Sequence, residues 1–417
     1  MTTKERDYVR DLAKQLHEKA ANLAMPERRK KWYALNNGQT REPLVVMKFH
    51  GVYEDVYPRP RCEDPLARSI EQTLTYHLTE ADFEDDRVIE DIYVVHPDNW
   101  FRAYGLDTSA RTTAKDSQGK ATMGYAAQHP IGDLERDFHL FKKSNWHVDE
   151  QLANAKKRKA EVEEAIGDIL RITIQFPSPG TSLVYPLCEL MGMENMLYAV
   201  CDHPERFRQA MEMQTNDLME YLDEIEQKQA ILCNGDSSRV SQDSYGYTDD
   251  LPKDGALQRP VTCRDVWGYA NSQETVGMSP EMFGEFIFPF IRRYAQRFGL
   301  FAFGCCEPVD VIWENCLATL PNLRKLSISP WCNESAFAEK IRGRKIVYHR
   351  KPSPNLFAMP DFDEEALARQ LKQTVLAASG CPLEITFRDI TSVHGEPGRL
   401  KRGVNIAKEQ IQRYWKP

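Results

Sequence analysis

From residue 171 onward, the chain alternates short apolar runs of strand length with longer helical segments, and this alternation limits its possible folds more than any other feature. Strands are predicted at 300–308, 323–329, 345–349 and 382–387, and a helix follows each of them. Strands that alternate with helices form parallel sheets with right-handed crossovers. The sequence therefore predicts an α/β protein.

Earlier runs extend this pattern towards the N-terminus. Further strands are predicted at 44–49, 86–95, 171–176 and 230–235, which gives about eight βα units and favours a closed (β/α)8 TIM barrel over an open sheet. No GxGxxG motif follows any of these strands, so a dinucleotide-binding fold is not indicated.

The chain of 417 residues is longer than a minimal barrel of about 250 residues. The excess falls in a charged N-terminal helical extension over residues 1–42 and in insertions after the second and fourth predicted strands. We therefore expect one TIM-barrel catalytic domain over residues 43–417.

Composition excludes several classes of protein. With 54 Lys and Arg against 62 Asp and Glu, the formal net charge of −8 argues against binding to nucleic acid or to an anionic membrane. No apolar run reaches the roughly 18 residues of a membrane-spanning helix, and the charged N-terminus does not resemble a signal peptide. The 10 cysteines are scattered without a CxxC motif, which indicates a reduced, cytoplasmic protein.

Candidate site residues follow from the rule that barrel active sites lie at the carboxyl ends of the strands. The side chains predicted there, or in the insertions, are titratable, metal-binding or aromatic: His50, Asp236, Tyr245, Trp267, Cys305, Cys306, Glu307, His349, Lys351, Arg388 and Asp389. Helix caps, rim ion pairs or a packed lid would explain the same residue types.

The segment GCCEP is the most informative of these strand ends. Neighbouring residues on a strand point to opposite faces, so only one of Cys305 and Cys306 can face the barrel axis. A thiolate with the Glu307 carboxylate could bind Zn²⁺, or the thiolate could act on a substrate. Two buried, unreactive cysteines beside a rim glutamate are the alternative.

Several segments, in order, resemble the uroporphyrinogen decarboxylase superfamily. The matching pieces are SPEMF before FIFPFIRR, then GCCEP, LRKLSISPW, RKPSPNLFA, CPLEITFRDITSV and EPGRL, with RCEDPLARSIEQTL upstream. The arginine-rich RQAGRY-type motif of true uroporphyrinogen decarboxylases is absent. The chain is therefore identified with the corrinoid-dependent methyltransferase-like branch.

This resemblance implies a TIM barrel that takes a methyl group from a small O-methyl aromatic or methylamine-like donor. The acceptor would be the Co(I) of a partner corrinoid carrier, because this chain lacks the DxHxxG motif of such carriers. Thiol-directed members bind Zn²⁺ through a His-x-Cys motif; here its histidine position falls on Gly304, and its cysteine on Cys306. The sequence does not decide whether the chain forms a homodimer.

Roles can be assigned to the candidates on this basis. Those expected to be catalytic are Glu307, Asp236, His349 and Asp389; those expected to bind substrate are His50, Lys351, Arg388, Trp267 and Tyr245; those expected to hold a metal, Zn²⁺ being the candidate, are Cys305, Cys306 and Glu307. A decarboxylase or other lyase with a cationic clamp is the main alternative, and a non-catalytic corrinoid-binding protein is the third.

Overall fold

The computed structural model describes residues 1–416 except 40–41, 50, 98–100, 107–110, 116–120, 176–179 and 253–257. The side chains of residues 54, 111–115 and 121–127 also lie outside the description.

The strands are, in chain order, β1 (Leu44–Met47), β2 (Ile92–Val95), β3 (Phe101–Arg102), β4 (Arg111–Lys115), β5 (Ala121–Ala127), β6 (Asn145–Trp146), β7 (Arg171–Ile174), β8 (Gly180–Ser182), β9 (Arg239–Ser241), β10 (Ser244–Tyr245), β11 (Trp267–Asn271), β12 (Leu300–Phe303), β13 (Leu323–Ile328), β14 (Val347–Arg350) and β15 (Leu383–Phe387).

The α-helices are α1 (Thr3–Ala20), α2 (Met25–Asn36), α3 (Tyr53–Val56), α4 (Pro65–Ala81), α5 (Leu134–Asp137), α6 (Val148–Ile166), α7 (Tyr185–Met191), α8 (Met193–Asp202), α9 (Pro204–Gln227), α10 (Pro280–Phe286), α11 (Phe288–Ala295), α12 (Glu334–Ile341), α13 (Asn355–Ala358), α14 (Glu364–Ala377) and α15 (Gly398–Tyr414).

A seven-stranded sheet, all of whose pairs are parallel, organises the fold. Its order is β1-β15-β14-β13-β12-β11-β8, so consecutive strands from β11 to β15 are neighbours. One face carries apolar side chains such as Phe301, Tyr348 and Ile385, which belong to the largest hydrophobic core. The other face carries the alternate residues, including Lys325, His349 and Glu384, and all three are buried. The predicted α/β class is confirmed.

The closed TIM barrel is not formed by the part of the chain that the structure describes. β2 and β7 pair only with each other, and the seven-stranded sheet stays open. Side chains occupy the edge of β1 instead: Asp86 accepts from the Val45 N–H at 2.9 Å, and Asp85 accepts from the Met47 N–H at 2.8 Å. Since carboxylates satisfy these groups, β1 has no need of a second strand there.

The predicted strand at 230–235 is wrong, and β11 takes the expected place beside β12. The Asn234 side chain pairs with the Trp267 backbone, accepting from its N–H at 2.8 Å and donating to its carbonyl at 3.2 Å. An amide side chain can thus satisfy the same groups as a neighbouring strand. The apolar run at 230–235 resembles a strand more closely than 267–271 does, so the sequence predicts that Trp267 lies in an insertion.

The β2–β7 pair has two unlike faces. Tyr93, Val95 and Ile172 pack in a second hydrophobic core with apolar residues of α1, α4 and α6. The opposite residues, Ile92 and Val94, are only partly buried and line a cavity. The N-terminal helix α1 therefore supports the back of this strand pair. Among the described residues, no helix is long and apolar enough to cross a membrane.

Gly246 follows β10 at a position where a side chain has no room. A Cβ atom there would lie 2.0 Å from the Asn234 carbonyl oxygen and 2.8 Å from a Val240 methyl group. We expect Gly246→Ala to lower the free energy of unfolding by about 1–3 kcal/mol, as overpacking does. Urea denaturation measures this, with Gly398→Ala as the control because nothing lies within 4 Å of a Cβ at Gly398. Equal stability of the two variants would contradict the prediction.

Candidate active site

A cavity of about 940 Å³ lies between the β2–β7 pair, α4 and the segment that leads into β9 and β10. Its lining includes Ile92 and Val94 from β2 and Tyr76 and Glu80 from α4. The other residues of its lining include Tyr53, Tyr57, His77, Val88, His96, Arg171, Thr173, Leu232, Asp236, Arg239 and Tyr245. Apolar and ionisable side chains thus share one enclosed space.

Glu80 is the central charge of the cavity wall. Its two carboxylate oxygens lie 2.5 Å from Lys48 Nζ and 2.5 Å from an Arg87 guanidinium nitrogen, and all three side chains are buried. Burial alone would raise the pKa of Glu80, but Arg87 and Lys48 together lower it to about 2. Glu80 is therefore ionised at neutral pH.

Tyr76 places a hydroxyl group against these charges. Lys48 Nζ lies 3.3 Å from Tyr76 Oη, and the ammonium also lies 5.2 Å from the centre of the Tyr76 ring. Burial raises the pKa of Tyr76, and the carboxylates of Glu80 and Asp243 raise it further. The hydroxyl therefore keeps its proton and can donate it in a hydrogen bond to a ligand in the cavity.

Two histidines line the cavity. Surrounding protein atoms remove part of the solvent from both rings, which lowers the pKa of His77 to about 4 and also lowers that of His96, although both residues keep exposed surface. His96 Nδ1 lies 3.0 Å from the Gln175 carbonyl oxygen, which can only accept, so Nδ1 carries the hydrogen and Nε2 has a lone pair when the ring is neutral. Both imidazoles are neutral at pH 7.

Ion pairs connect the cavity wall to the carboxyl end of the sheet. Asp243, between β9 and β10, has a left-handed backbone with φ of 68°. Its carboxylate lies 3.7 Å from Lys48 Nζ and 3.3 Å from an Arg388 guanidinium nitrogen. Arg388 also bonds to Asp389 at 2.9 Å. Charges therefore alternate in sign from Glu80 through Lys48, Asp243 and Arg388 to Asp389.

The GCCE turn after β12 lies at that end of the sheet. Gly304 has φ of 99°, which lets the chain leave the strand sharply. Glu307 then folds back and is buried: its carboxylate accepts from the Cys305 N–H and from the Ser272 N–H, each at 2.8 Å. Glu307 therefore joins the end of β12 to the end of β11.

Basic side chains surround this turn. Lys351 is buried, and its ammonium donates to the Cys305 carbonyl oxygen at 3.3 Å. Burial lowers the pKa of Lys351, the cysteines raise it, and the charge of Arg388 lowers it. Arg388 also donates to Gln242, whose amide donates to Tyr269 Oη at 2.5 Å. The structure thus brings Cys305, Cys306 and Glu307 close to Lys351, Arg388 and Asp389, as expected of neighbouring strand ends.

The two thiols share a sulfur–sulfur contact of 3.6 Å. Cys305 is buried and Cys306 is exposed. The hydrogen bond from Cys305 lowers the pKa of Cys306 to about 7, and the charge of Lys351 lowers it further. The same contact raises the pKa of Cys305. Cys306 is therefore the reactive thiol of the pair.

Alkylation of Cys306 by iodoacetamide should follow a titration with a midpoint near pH 7, because only the thiolate reacts. In Cys305→Ala the hydrogen bond is lost, so the midpoint should rise towards the roughly 8.5 of an ordinary cysteine. Peptide mass spectrometry across a pH series gives both midpoints, with Cys316→Ala as the control at a buried cysteine outside the pair. An unchanged midpoint in Cys305→Ala would contradict this assignment.

The predicted zinc ligands do not fit a zinc site as they are arranged. Structural and catalytic zinc sites take at least three protein ligands. Both Glu307 oxygens accept backbone hydrogen bonds, and no three His, Cys, Asp or Glu side chains within the described ranges converge as metal ligands. Cys305 and Cys306 are left as a pair of sulfur atoms without a third ligand.

His349 lies deeper than the GCCE turn, within the sheet. Its Nε2 is 2.9 Å from Thr386 Oγ1 and 3.5 Å from a Glu384 oxygen, and Lys325 is 3.4 Å from the other Glu384 oxygen. Burial lowers the pKa of His349 to about 3, although Glu384 opposes this effect. His349 is not among the residues that line the cavity, although Lys325 of the same network donates to the carbonyl of Tyr245, which does line it, at 3.0 Å. The catalytic role of His349 stays a prediction.

The remaining predicted residues divide between cavity and core. Asp236 is exposed at the cavity, where it accepts from the Ser238 N–H at 2.9 Å. Tyr245 also lines the cavity and stacks under Arg239, whose guanidinium carbon is 3.6 Å from the ring centre. Trp267 is fully buried, and its indole N–H donates to the Gly246 carbonyl at 2.9 Å. His50 lies outside the described residues.

Sequence reasoning missed most of the cavity. Lys48 follows β1, and Tyr76 and Glu80 lie on one face of α4, four residues apart. The only signal available was a lysine directly after an apolar strand, the position where barrel sites occur. Nothing in the helical spacing of Tyr76 and Glu80 distinguishes them from a solvated helix face.

Comparison with known proteins adds little to this geometry. No family model and no curated protein sequence matches the chain. Among solved structures, a methyltransferase from Methanosarcina mazei is similar over 93% of this chain and 98% of that chain, with 13% sequence identity and a TM-score of 0.49. The resemblance to the uroporphyrinogen decarboxylase superfamily therefore stays a prediction. The reaction has to be inferred from the geometry of the site.

Proposed function

We propose that the protein is a demethylating methyltransferase that binds an O-methyl aromatic donor in the cavity and transfers its methyl group to the Co(I) corrinoid of a carrier protein. The cavity is the observation that supports this proposal most. The corrinoid acceptor is inferred from the sequence resemblance described above.

The size of the cavity favours an aromatic donor over a methylamine. Drug-sized ligands occupy pockets of about 300–1,000 Å³, and this cavity holds about 940 Å³. A methylamine would leave most of that volume to water. An aromatic ring can instead pack against Ile92, Val94 and Val88, while its oxygen substituents face Tyr76 and Arg239.

The chemistry required of the protein is stabilisation of the leaving oxygen. As the acceptor attacks the methyl carbon, the C–O bond breaks and its electron pair stays on the phenolic oxygen. The protonated Tyr76 hydroxyl, polarised by Lys48, can donate a hydrogen bond to that oxygen. Because Glu80 holds Lys48 in place, the cation stays where negative charge develops.

The acceptor needs access to the methyl group. Tyr53 and Leu232 line the cavity and are 44% exposed each, so apolar side chains mark its rim. Exposed apolar groups at a pocket are typical of surfaces that meet a partner. We propose that the carrier protein approaches at this rim.

A lyase remains the second candidate, because Arg171 and Arg239 line the same cavity and could bind a substrate carboxylate. The clamp predicted from Arg350, Lys351 and Arg388 is less suited to this role, and Arg350 already pairs with Glu334 at 2.7 Å. Arg388 already pairs with Asp243 and Asp389, and Lys351 bonds to the Cys305 carbonyl. A substrate carboxylate would have to displace these partners.

One reaction mixture distinguishes the two candidates. The protein, a corrinoid carrier reduced to Co(I) and a panel of methoxybenzoates, methoxyphenols and methylamines are combined, and methylcobalt absorbance and released CO₂ are followed. Methylcobalt with a methoxylated aromatic supports the proposal. CO₂ release without methylcobalt identifies a lyase, and neither product with any member of the panel contradicts both candidates.

A further inference from the structure

The adjacent thiols after β12 have a property that neither the zinc prediction nor the proposed reaction uses. Cys305 Sγ and Cys306 Sγ are 3.6 Å apart, and a disulfide requires about 2.05 Å. The sulfur atoms therefore need to approach by about 1.5 Å to bond. All 10 cysteines are free, and no other two are adjacent in the sequence.

In a pair of thiols that forms a disulfide, the attacking thiol has to be accessible and the resolving thiol has to lie beside it. Cys306 and Cys305 differ in this way. The Cys305 N–H donates to Glu307, and its carbonyl accepts from Ser327 at 3.0 Å and from Lys351 at 3.3 Å. Cys305 is thus fixed and buried, whereas Cys306 is exposed to reagents in solution. An oxidant would meet Cys306 first, and Cys305 would already lie beside it.

We propose that Cys305 and Cys306 are a redox modification site that forms a reversible vicinal disulfide when a small-molecule disulfide reacts with the protein. The Cys306 thiolate attacks one sulfur of the oxidant, which forms a mixed disulfide and releases one thiolate. Cys305 then loses its proton to solvent and attacks the Cys306 sulfur, which releases the second thiolate. The protein loses two electrons and the oxidant gains them.

Reversal follows from the geometry of neighbouring residues. Consecutive Cα atoms are about 3.8 Å apart, less than the roughly 4.4–6.8 Å of ordinary disulfides. The ring is therefore strained, and strained, accessible disulfides are the readily reduced ones.

Disulfide formation would also change the backbone beside the two cysteines. Closing the ring shifts the Cys305 peptide group, whose N–H is held by Glu307. Glu307 also holds the Ser272 N–H at the end of β11. Oxidation is therefore expected to loosen the junction between the ends of β11 and β12, whatever reaction the protein catalyses.

The test uses dithiodipyridine on the full-length protein, followed by an acid quench, blocking of the remaining thiols with N-ethylmaleimide and chymotryptic digestion at neutral pH. The peptide from Gly304 to Trp313 contains Cys305 and Cys306 and no other cysteine. In the wild type and in Cys316→Ser, this peptide should lose both thiol hydrogens, carry no thiopyridyl adduct and regain both hydrogens with dithiothreitol. In Cys305→Ser, Cys306 should keep one adduct.

Three results would overturn the proposal. They are a stable adduct on Cys306 in the wild type, two thiols that remain unreacted, and a link from this peptide to the one with Cys316. Cys306→Ser provides a second variant should Cys305→Ser fail to fold, and in it the buried Cys305 should react at least tenfold more slowly than Cys306 does in the wild type. Equal rates would count against the proposed order of attack.

Discussion

Replacing Arg87 by methionine is expected to lower the free energy of unfolding by about 3–5 kcal/mol, the usual cost of leaving a buried charge without its partner. Arg87 is buried between Asp85 and Glu80, and it also donates to the Met47 carbonyl at 2.6 Å. Methionine fills a similar volume but takes the guanidinium away from buried Asp85 and leaves buried Glu80 with Lys48 as its remaining described cation. Urea denaturation at pH 7 measures the loss.

The matched control is Arg6→Met, which removes an exposed pair with Glu164. Exposed pairs contribute about 0–1 kcal/mol, so this variant should remain close to the wild type. A loss of under 1 kcal/mol in Arg87→Met as well would show that the Asp85–Arg87–Glu80 cluster does not stabilise the edge of β1.

The same cluster predicts an acid dependence of stability. The pKa of Glu80 is about 2 in the folded protein, below the roughly 4.3 of an unfolded chain. A lowered folded-state pKa contributes stability above the unfolded value, and this is lost as the pH falls from about 4.3 towards 2. Because Arg87 causes much of the lowering, the pH dependence in this range should be shallower in Arg87→Met.

The second large effect concerns catalysis by the proposed methyltransferase. Tyr76→Phe removes the hydroxyl that would stabilise the leaving oxygen but keeps the ring that lines the cavity. Loss of one such donor typically lowers the turnover rate by about 10²–10³-fold. Methylcobalt formation at saturating donor measures this rate, and the KM for the donor should change much less.

Tyr198→Phe is the control for this substitution, because Tyr198 is 60% exposed on α8. It removes the same atom far from the proposed chemistry and should leave the rate unchanged. A Tyr76→Phe enzyme as fast as the wild type would exclude Tyr76 as the donor.

The strands from β12 to β15 could be predicted from the sequence because each is a short apolar run with a clear boundary. The run at 323–329 becomes β13 over Leu323–Ile328, and the run at 382–387 becomes β15 over Leu383–Phe387. Their ends then identify the GCCE turn, Lys351 and Arg388 as neighbours. Parallel strands bring such residues together whatever the loops do.

The cavity could not be predicted from the sequence, because polar side chains rather than neighbouring strands satisfy the backbone of the strands beside it. Asp85 and Asp86 satisfy the edge of β1, and Asn234 satisfies the first residue of β11, ahead of the pairing of β11 with β8, so the sheet departs from a regular ladder at both places. A polar residue that replaces a strand looks like any loop residue in the sequence. The cavity arises beside these substituted edges, and its residues on α4 were therefore missed.

The central claim is that the cavity between β2 and α4 holds the methyl donor. Val94→Trp places a large ring into this cavity, whereas Leu376→Trp adds the same ring on α14 at a side chain that is 48% exposed. The decisive measurement is the yield of labelled methyl on cobalt from a methoxylated aromatic in a single turnover. If the donor binds in this cavity, the yield should be full for the wild type and for Leu376→Trp and at least tenfold lower for Val94→Trp. Equal yields in all three proteins would place the reaction elsewhere and exclude this cavity as the donor site.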